Sequence, residues 1–520
     1  MKNIKNINFS WFAIIMFGVL TLSSCGADFL EDVEVYSDLN ADTYYQTAEH
    51  AEAAVIAAYT PLQYQGLYRR LRYLLDYMSG DFDITSGGRQ LTAYPGFQFN
   101  STTSELIPKA WEACYIGIGR TNTVLQRVPD IEVGLFDSEE QKNYILGQAY
   151  FLRGLYYFNL VRLYGGVPIY TEPFDGDLNG DQFQPARNTV EEVYDLIESD
   201  FEMATTMLPN SWDGDNTGKA TAGAAQAFLG KVHLYQNEYS EAKDVLARVI
   251  NGEFGTYSLI PDFEQNFLVD NENNAESIFE VQFEQGSGAG FIDKDDPRGV
   301  ISNWMSIAVN PGRQGFANAV PSVAVDDFFS QFPEEEAVRR PLTIAKPGDT
   351  WGNWDPIAAD PVAAGQWRDR AGERPGVFLG CRKHNTGGRV GFVQDPMNFR
   401  VMRYAEVLLL FAEAENEVNG PTAEAYDAIN EVRTRAQVSD IPAGLSKEEF
   451  FEQIVIERRL ELTFEFQRFF DLVRWGRRAN TPDIASPTQM PGFVAGKNEL
   501  LPIPQEEILR NPNLVQNPNY

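Results

Sequence analysis

The 520-residue chain reads as a mostly α-helical protein, a scaffold of TPR-like helix pairs with a large irregular, loop-rich, partly β ligand-binding region. Three observations predict this. Between Asn398 and Gly476, Tyr404, Leu408, Phe411 and Ala412 recur at helical spacing, Asn419-Gly420-Pro421 interrupts the run, and Ala425, Ala428, Ile429, Val432 and Ala436 resume it. Upstream, Leu229-Gly230 on one helix, Tyr239 in a turn and Ala242, Leu246 and Val249 on the next repeat the residue types that a tetratricopeptide unit of roughly 34 residues places where helices approach. The 146 residues from Gly252 to Met397 hold 11 of the 28 prolines and four of the eight tryptophans, with no long helical period.

The N-terminal residues come first in order. Lys2 and Lys5 precede an apolar run from Phe9 to Leu22, shorter than the roughly 20 residues of a membrane span and typical of a signal-peptide core. The run ends in Leu22-Ser23-Ser24-Cys25, which resembles a lipoprotein lipobox. That resemblance implies removal of residues 1–24, lipidation of Cys25 and a short acidic tether over 25–42. No later stretch is apolar enough to span a bilayer, so the expectation is an anchored protein. Of the other cysteines, Cys114 lies in an apolar helical context; burial of Cys114 and Cys381 as free thiols is favoured over a disulfide.

Residues 43–251 form the first part of the scaffold. Helical periodicity covers 43–65 and 105–127, which can pair, and between them GDFDITSGGRQLTAYPGFQFNST carries Tyr94, Phe97 and Phe99 on a loop broken by glycines and Pro95. Ser138 caps a helix over 138–164 that Gly165-Gly166 and Pro168 stop, and Thr189 with Glu192 has capping-box spacing for a helix over 189–207. In the excursion, 252–397, only ESIFEVQF (276–283) alternates like a strand. Residues 398–520 return to helices, with 454–476 read as one long helix.

Four stretches together resemble the SusD/RagB family of outer-membrane nutrient-binding lipoproteins: QAYFLRGLYYFNLVRLYGGVPIY (148–170), NFRVMRYAEVLLLFAEAENEVNG (398–420), IVIERRLELTFEFQRFFDLVRWG (454–476) and LLPIPQEEILRNPNLVQNPNY (500–520). The resemblance implies one fold over 26–520, made of four TPR-like helix pairs and an irregular ligand-binding half. It also implies a role without catalysis or a required cofactor: a lipid-anchored protein at the outer membrane and cell surface that captures oligosaccharides and serves as lid to a SusC-like TonB-dependent transporter. In the RagB branch the ligand is a peptide, and a glycoside hydrolase is the third reading.

Composition limits the ligand. A net charge of −32 repels phosphate backbones and excludes nucleic acid, leaving neutral or cationic ligands easier to hold than polyanions. His50, His233 and His384 show no paired-ligand spacing, and neither a GxSxG elbow nor a Gly-rich phosphate loop is present. Glu457, Glu461 and Glu465 share a helix face, but interleaved Arg458, Arg459, Arg468, Asp471 and Arg474 make an ion-pair network the better reading than a glycosidase pair. Asp175, Asp177, Asn179 and Gly180 reproduce the first half of a calcium loop, with Asp181 as a further oxygen; Ala186 stands where the closing Glu belongs, so a metal-free acidic turn is the alternative. Arg368, Arg370, Arg374, Arg382, Lys383 and Arg389 form a basic excess, expected to pair with the protein's own acids rather than an acidic ligand. Sugars offer C–H faces ringed by hydroxyls, so a receptor for them needs aromatic platforms with polar neighbours. Tyr94 and Phe97 of the first loop and Trp304, Phe316 and Trp351 of the excursion are the candidates, with satellite core under long loops as the alternative.

Overall fold

The computed structural model describes residues 44–520 except 70, 85–90, 103, 105, 174–183, 285–318, 351–356, 362–363, 365–377, 385–394, 479–483, 485 and 487. Residues 47–520 form one body. The scaffold begins with α1 (Ala48–Tyr59), capped by the Thr47 side chain, and α2 (Leu71–Ser79). A short strand, β1 (Phe82–Ile84), follows, then α3 (Leu106–Arg127). The expected pairing of α1 with α3 is present: Arg120 donates to the Ala57 carbonyl at 2.7 Å.

Next come α4 (Glu139–Tyr164), α5 (Val190–Met207), α6 (Ala222–Gln236) and α7 (Tyr239–Ile250), each packed on the one before. Ser138 caps α4, Gly165 ends it at φ 77°, and Thr189 with Glu192 closes a capping box on α5, all as the sequence predicts. Arg153 of α4 binds Asp200 of α5 through two hydrogen bonds, 2.9 and 2.7 Å, inside the helix layer. Gly230 is required by closeness: a Cβ there would stand 2.5 Å from Leu246, the small-against-large contact that the repeat signature anticipates. Tyr239 opens α7 rather than sitting in the turn before it.

Strand β2 (Ser277–Val281) confirms the alternation at 276–283, and its antiparallel partner β6 (Phe399–Arg403) comes from the stretch leading into the next helix. Between them the excursion contains β3 (Ala319–Pro321), α8 (Val323–Ser330), two short helices over 333–343, and the paired strands β4 (Ile344–Ala345) and β5 (Gly380–Cys381). Its described parts are therefore more regular than the sequence suggests. The last helices are α9 (Tyr404–Asn419), α10 (Ala423–Arg435), α11 (Lys447–Leu462), α12 (Arg468–Trp475) and α13 (Gln505–Arg510). Ala425 is fully buried on α10, where a small residue was expected.

One expectation is corrected here. The stretch 454–476 is two helices with a break at 463–467, where Phe464 and Phe466 both adopt φ 64°, a region bulky residues rarely enter. Ending α11 leaves carbonyls without helical partners, and side chains from the excursion take them up: Lys383 donates to the Glu461 carbonyl at 2.6 Å, and a ring nitrogen of His384 lies 2.6 Å from that of Phe464. Cys114 and Cys381 are buried free thiols, as expected. No helix among the described residues is long and apolar enough to cross a membrane.

Candidate functional site

Two segments that the sequence assigns to a common ligand-binding region are tied together by β1 and β3. These strands pair antiparallel with Phe82 opposite Pro321, Asp83 opposite Val320 and Ile84 opposite Ala319. The loop after the first helices and the excursion thus meet in one small sheet. The scaffold grips that sheet from below. Arg459 of α11 binds Asp81 at 2.7 Å, and Phe82 stacks flat on Phe464 with centroids 4.4 Å apart.

The individual ring assignments fare differently. Tyr94 is 2% exposed, bonds Ser104 through its hydroxyl and packs on Phe99; Phe97 is 6% exposed against Phe469 and Phe493. Neither presents a face to a ligand, so both are corrected from platform to core. The cause is local: residues 91–99 turn back onto the C-terminal segment, where Phe99 stacks on Tyr520. Trp304, Phe316 and Trp351 lie outside the described residues, as do Asp175, Asp177, Asn179, Asp181 and Cys25.

Under the sheet lies a network of buried charges. Arg403, at the end of β6, reaches Glu461 at 3.0 Å and Glu465 at 2.7 Å, and also binds Glu276. Arg435 joins Glu276 at 2.8 Å and Glu461, while Arg339 of the excursion binds Glu461 at 3.0 Å and Glu457 at 2.7 Å. Lys383 completes it at 2.8 Å from Glu465. Burial alone would push the Glu461 carboxyl up, but the guanidiniums of Arg435, Arg403 and Arg339 outweigh it and hold it well below the usual range. Glu457, Glu461 and Glu465 are at most 6% exposed, so they brace the excursion against α11 as the ion-pair reading predicts. A sugar cannot reach between them.

The described part of the basic stretch pairs internally too. Arg382 binds Glu264 at 2.7 Å and Lys383 is spent on the network; Arg368, Arg370, Arg374 and Arg389 lie outside the described residues. Burial lowers the His384 imidazole to about 4, leaving it neutral at physiological pH. His233 meets Glu238 at 2.7 Å and Glu198 at 3.8 Å. This trio comes from α5, α6 and the turn after α6, and spacing along the chain does not reveal that Glu198 joins the other two.

Clefts also open on the scaffold among the described residues, two of them large enough for a small ligand. One, about 720 Å³, is lined by Trp111, Tyr115 and Tyr170 among others; the second, about 500 Å³, lies beside Tyr59, Lys219 and Gln282. The sequence reading passed over the first because Trp111 and Tyr115 stand four residues apart on α3, a spacing that normally marks core.

A model described as "SusD family" matches residues 275–520, and one described as "Starch-binding associating with outer membrane" matches residues 28–234. SusD-like protein P2 of Formosa agariphila is 29% identical over 528 residues, covering 97% of this chain and 99% of that protein. A solved structure titled "Laminarin binding SusD-like protein" aligns with TM-score 0.73 and 27% identity over 92% of this chain and all of the other. A SusD homologue from Bacteroides thetaiotaomicron aligns with TM-score 0.75 and 25% identity, covering 94% of this chain and 100% of that one.

Proposed function

The chain belongs to the SusD/RagB family, and from that premise we propose that it captures oligosaccharides at the outer membrane and performs no chemistry on them. The observation that carries this reading is the β1–β3 pairing, which joins the first loop and the excursion on one braced support. A laminarin-binding relative of the same fold supports a glycan as ligand class, and the name of the N-terminal family model supports association with the outer membrane.

Binding rests on the excursion aromatics Trp304, Phe316 and Trp351, now without Tyr94 and Phe97. Affinity is expected between micromolar and millimolar, roughly −8 to −4 kcal/mol, weak enough for release onward. Delivery goes to a SusC-like TonB-dependent transporter, for which this protein acts as lid, held by the lipid on Cys25. The absence of an accessible carboxylate pair at Glu457, Glu461 and Glu465 favours binding over hydrolysis. Titration of Trp304→Ala and Trp351→Ala against the oligosaccharide bound by the wild type tests the assignment: weaker binding with an unchanged melting temperature supports it, and unchanged affinity in both variants places the site elsewhere.

A further inference from the structure

The 720 Å³ cleft is built from α3, the segment 168–173 and α13, none of which belongs to the β1–β3 support. Its volume falls within the roughly 300–1,000 Å³ of small-ligand pockets. Three aromatic rings line it in sequence: Trp111 and Tyr115 have centroids 5.0 Å apart, and Tyr115 meets Tyr170 edge-on at 5.7 Å. Tyr115 and Tyr170 are only partly buried.

The rings are fixed before any ligand arrives. The Tyr115 hydroxyl donates to the Pro168 carbonyl at 2.8 Å, and Tyr157 accepts from the Tyr170 amide at 2.7 Å, locking that backbone against α4. Trp111 is 5% exposed, yet its indole N–H meets no acceptor among the described residues. An indole N–H on a cleft wall without a protein partner is a donor that a ligand oxygen can take over from water.

We propose that this cleft is a second carbohydrate-binding site, taking a short neutral oligosaccharide against Tyr115 and Tyr170 with Trp111 and Glu507 as hydrogen-bonding groups. The charge around it selects against acidic sugars. Glu112, Glu506 and Glu507 outnumber Arg120 and Arg510 by one, and Arg510 is itself bound to Glu507 at 2.7 Å. A carboxylate beside aromatic faces accepts from sugar hydroxyls, and partial burial raises the Glu507 carboxyl despite Arg510. The inference rests on the glycan reading above and adds a site on the rigid scaffold. Two separate sites on one chain would raise avidity for a long polymer without any tighter contact.

The test is saturation-transfer NMR on the chain from residue 26, with maltotriose, laminaritriose, cellotriose and xylotriose as probes. Wild type, Trp304→Ala/Trp351→Ala, Tyr170→Ala and Glu507→Gln are compared, and the last variant keeps the test valid if Tyr170→Ala fails to fold. The expected result is one trisaccharide still bound by the double tryptophan variant and weakened about fivefold or more by Tyr170→Ala and by Glu507→Gln. Binding abolished in the double variant but untouched by both cleft variants overturns the second site and leaves the glycan reading standing. Failure of wild type to bind any of the four, together with silence on a wider glycan array, overturns both.

Discussion

Arg403 and Glu465 face each other through two hydrogen bonds, Nε to Oε2 and Nη2 to Oε1, each 2.7 Å. Arg403 ends β6, and Glu465 sits in the break between α11 and α12, so the pair joins the sheet to the point where the scaffold helix turns. Both are nearly excluded from water, and removal of the Glu465 charge takes one of three carboxylates from Arg403 and leaves the buried Lys383 ammonium without its ion-pair partner. Glu465→Gln is expected to cost about 3–5 kcal/mol in denaturant unfolding. A loss below about 1 kcal/mol would mean that the network does not brace the fold.

Acid should act through the same groups. The folded pKa of Glu461 is depressed by its guanidinium partners, so its contribution is present above the unfolded carboxylate value near 4.3 and is lost as pH falls below that. Asp76 behaves oppositely. It is buried, neither oxygen makes a well-formed hydrogen bond, and burial together with Asp81 holds its carboxyl well above the usual range. The folded state therefore keeps the proton, and this group costs stability increasingly as pH rises above about 3.9. Asp76→Asn should leave stability little changed at that pH and increase it progressively toward neutral pH; an equal shift at every pH would contradict the assignment.

Much of the scaffold was legible because its signals are local. The Thr189–Glu192 capping box, the Gly165 stop and the Gly230–Leu246 contact each depend on residue types at fixed offsets, and all three are present. The break at Phe464 was not legible, since it is stabilised by Lys383 and His384, some 80 residues away, and apolar period alone continues through it. Tyr94 and Phe97 failed for a related reason: a loop rich in glycine and aromatics reads the same whether its rings face water or the C-terminal segment. The aromatic row at Trp111, Tyr115 and Tyr170 hid behind helical spacing that resembles core.

Anchoring can be checked by fractionation and mass spectrometry. With Cys25 as the proposed acylated residue, Cys25→Ala is expected to release the protein from the membrane fraction, since stable retention takes more than one acyl chain. Mature wild-type protein carrying residues 1–24 and no acyl group would contradict the lipobox reading.

The acidic stretch with Asp175, Asp177, Asn179 and Asp181 is tested by linkage. We propose that it binds calcium, which would raise the melting temperature when added in excess after chelation, since a metal held only by the folded state stabilises it. Asp177→Ala should abolish the shift. A melting temperature indifferent to calcium makes the stretch a metal-free turn.

Capture of a glycan without chemistry is the central claim, and binding by the chain from residue 26 to a glycan array and a peptide library in parallel tests it most directly, with reducing-sugar release assayed on each glycan bound. The account predicts binding to one glycan class at micromolar to millimolar concentration, no released sugar and no peptide captured. Binding confined to peptides, or release of reducing ends from a bound glycan, would contradict it.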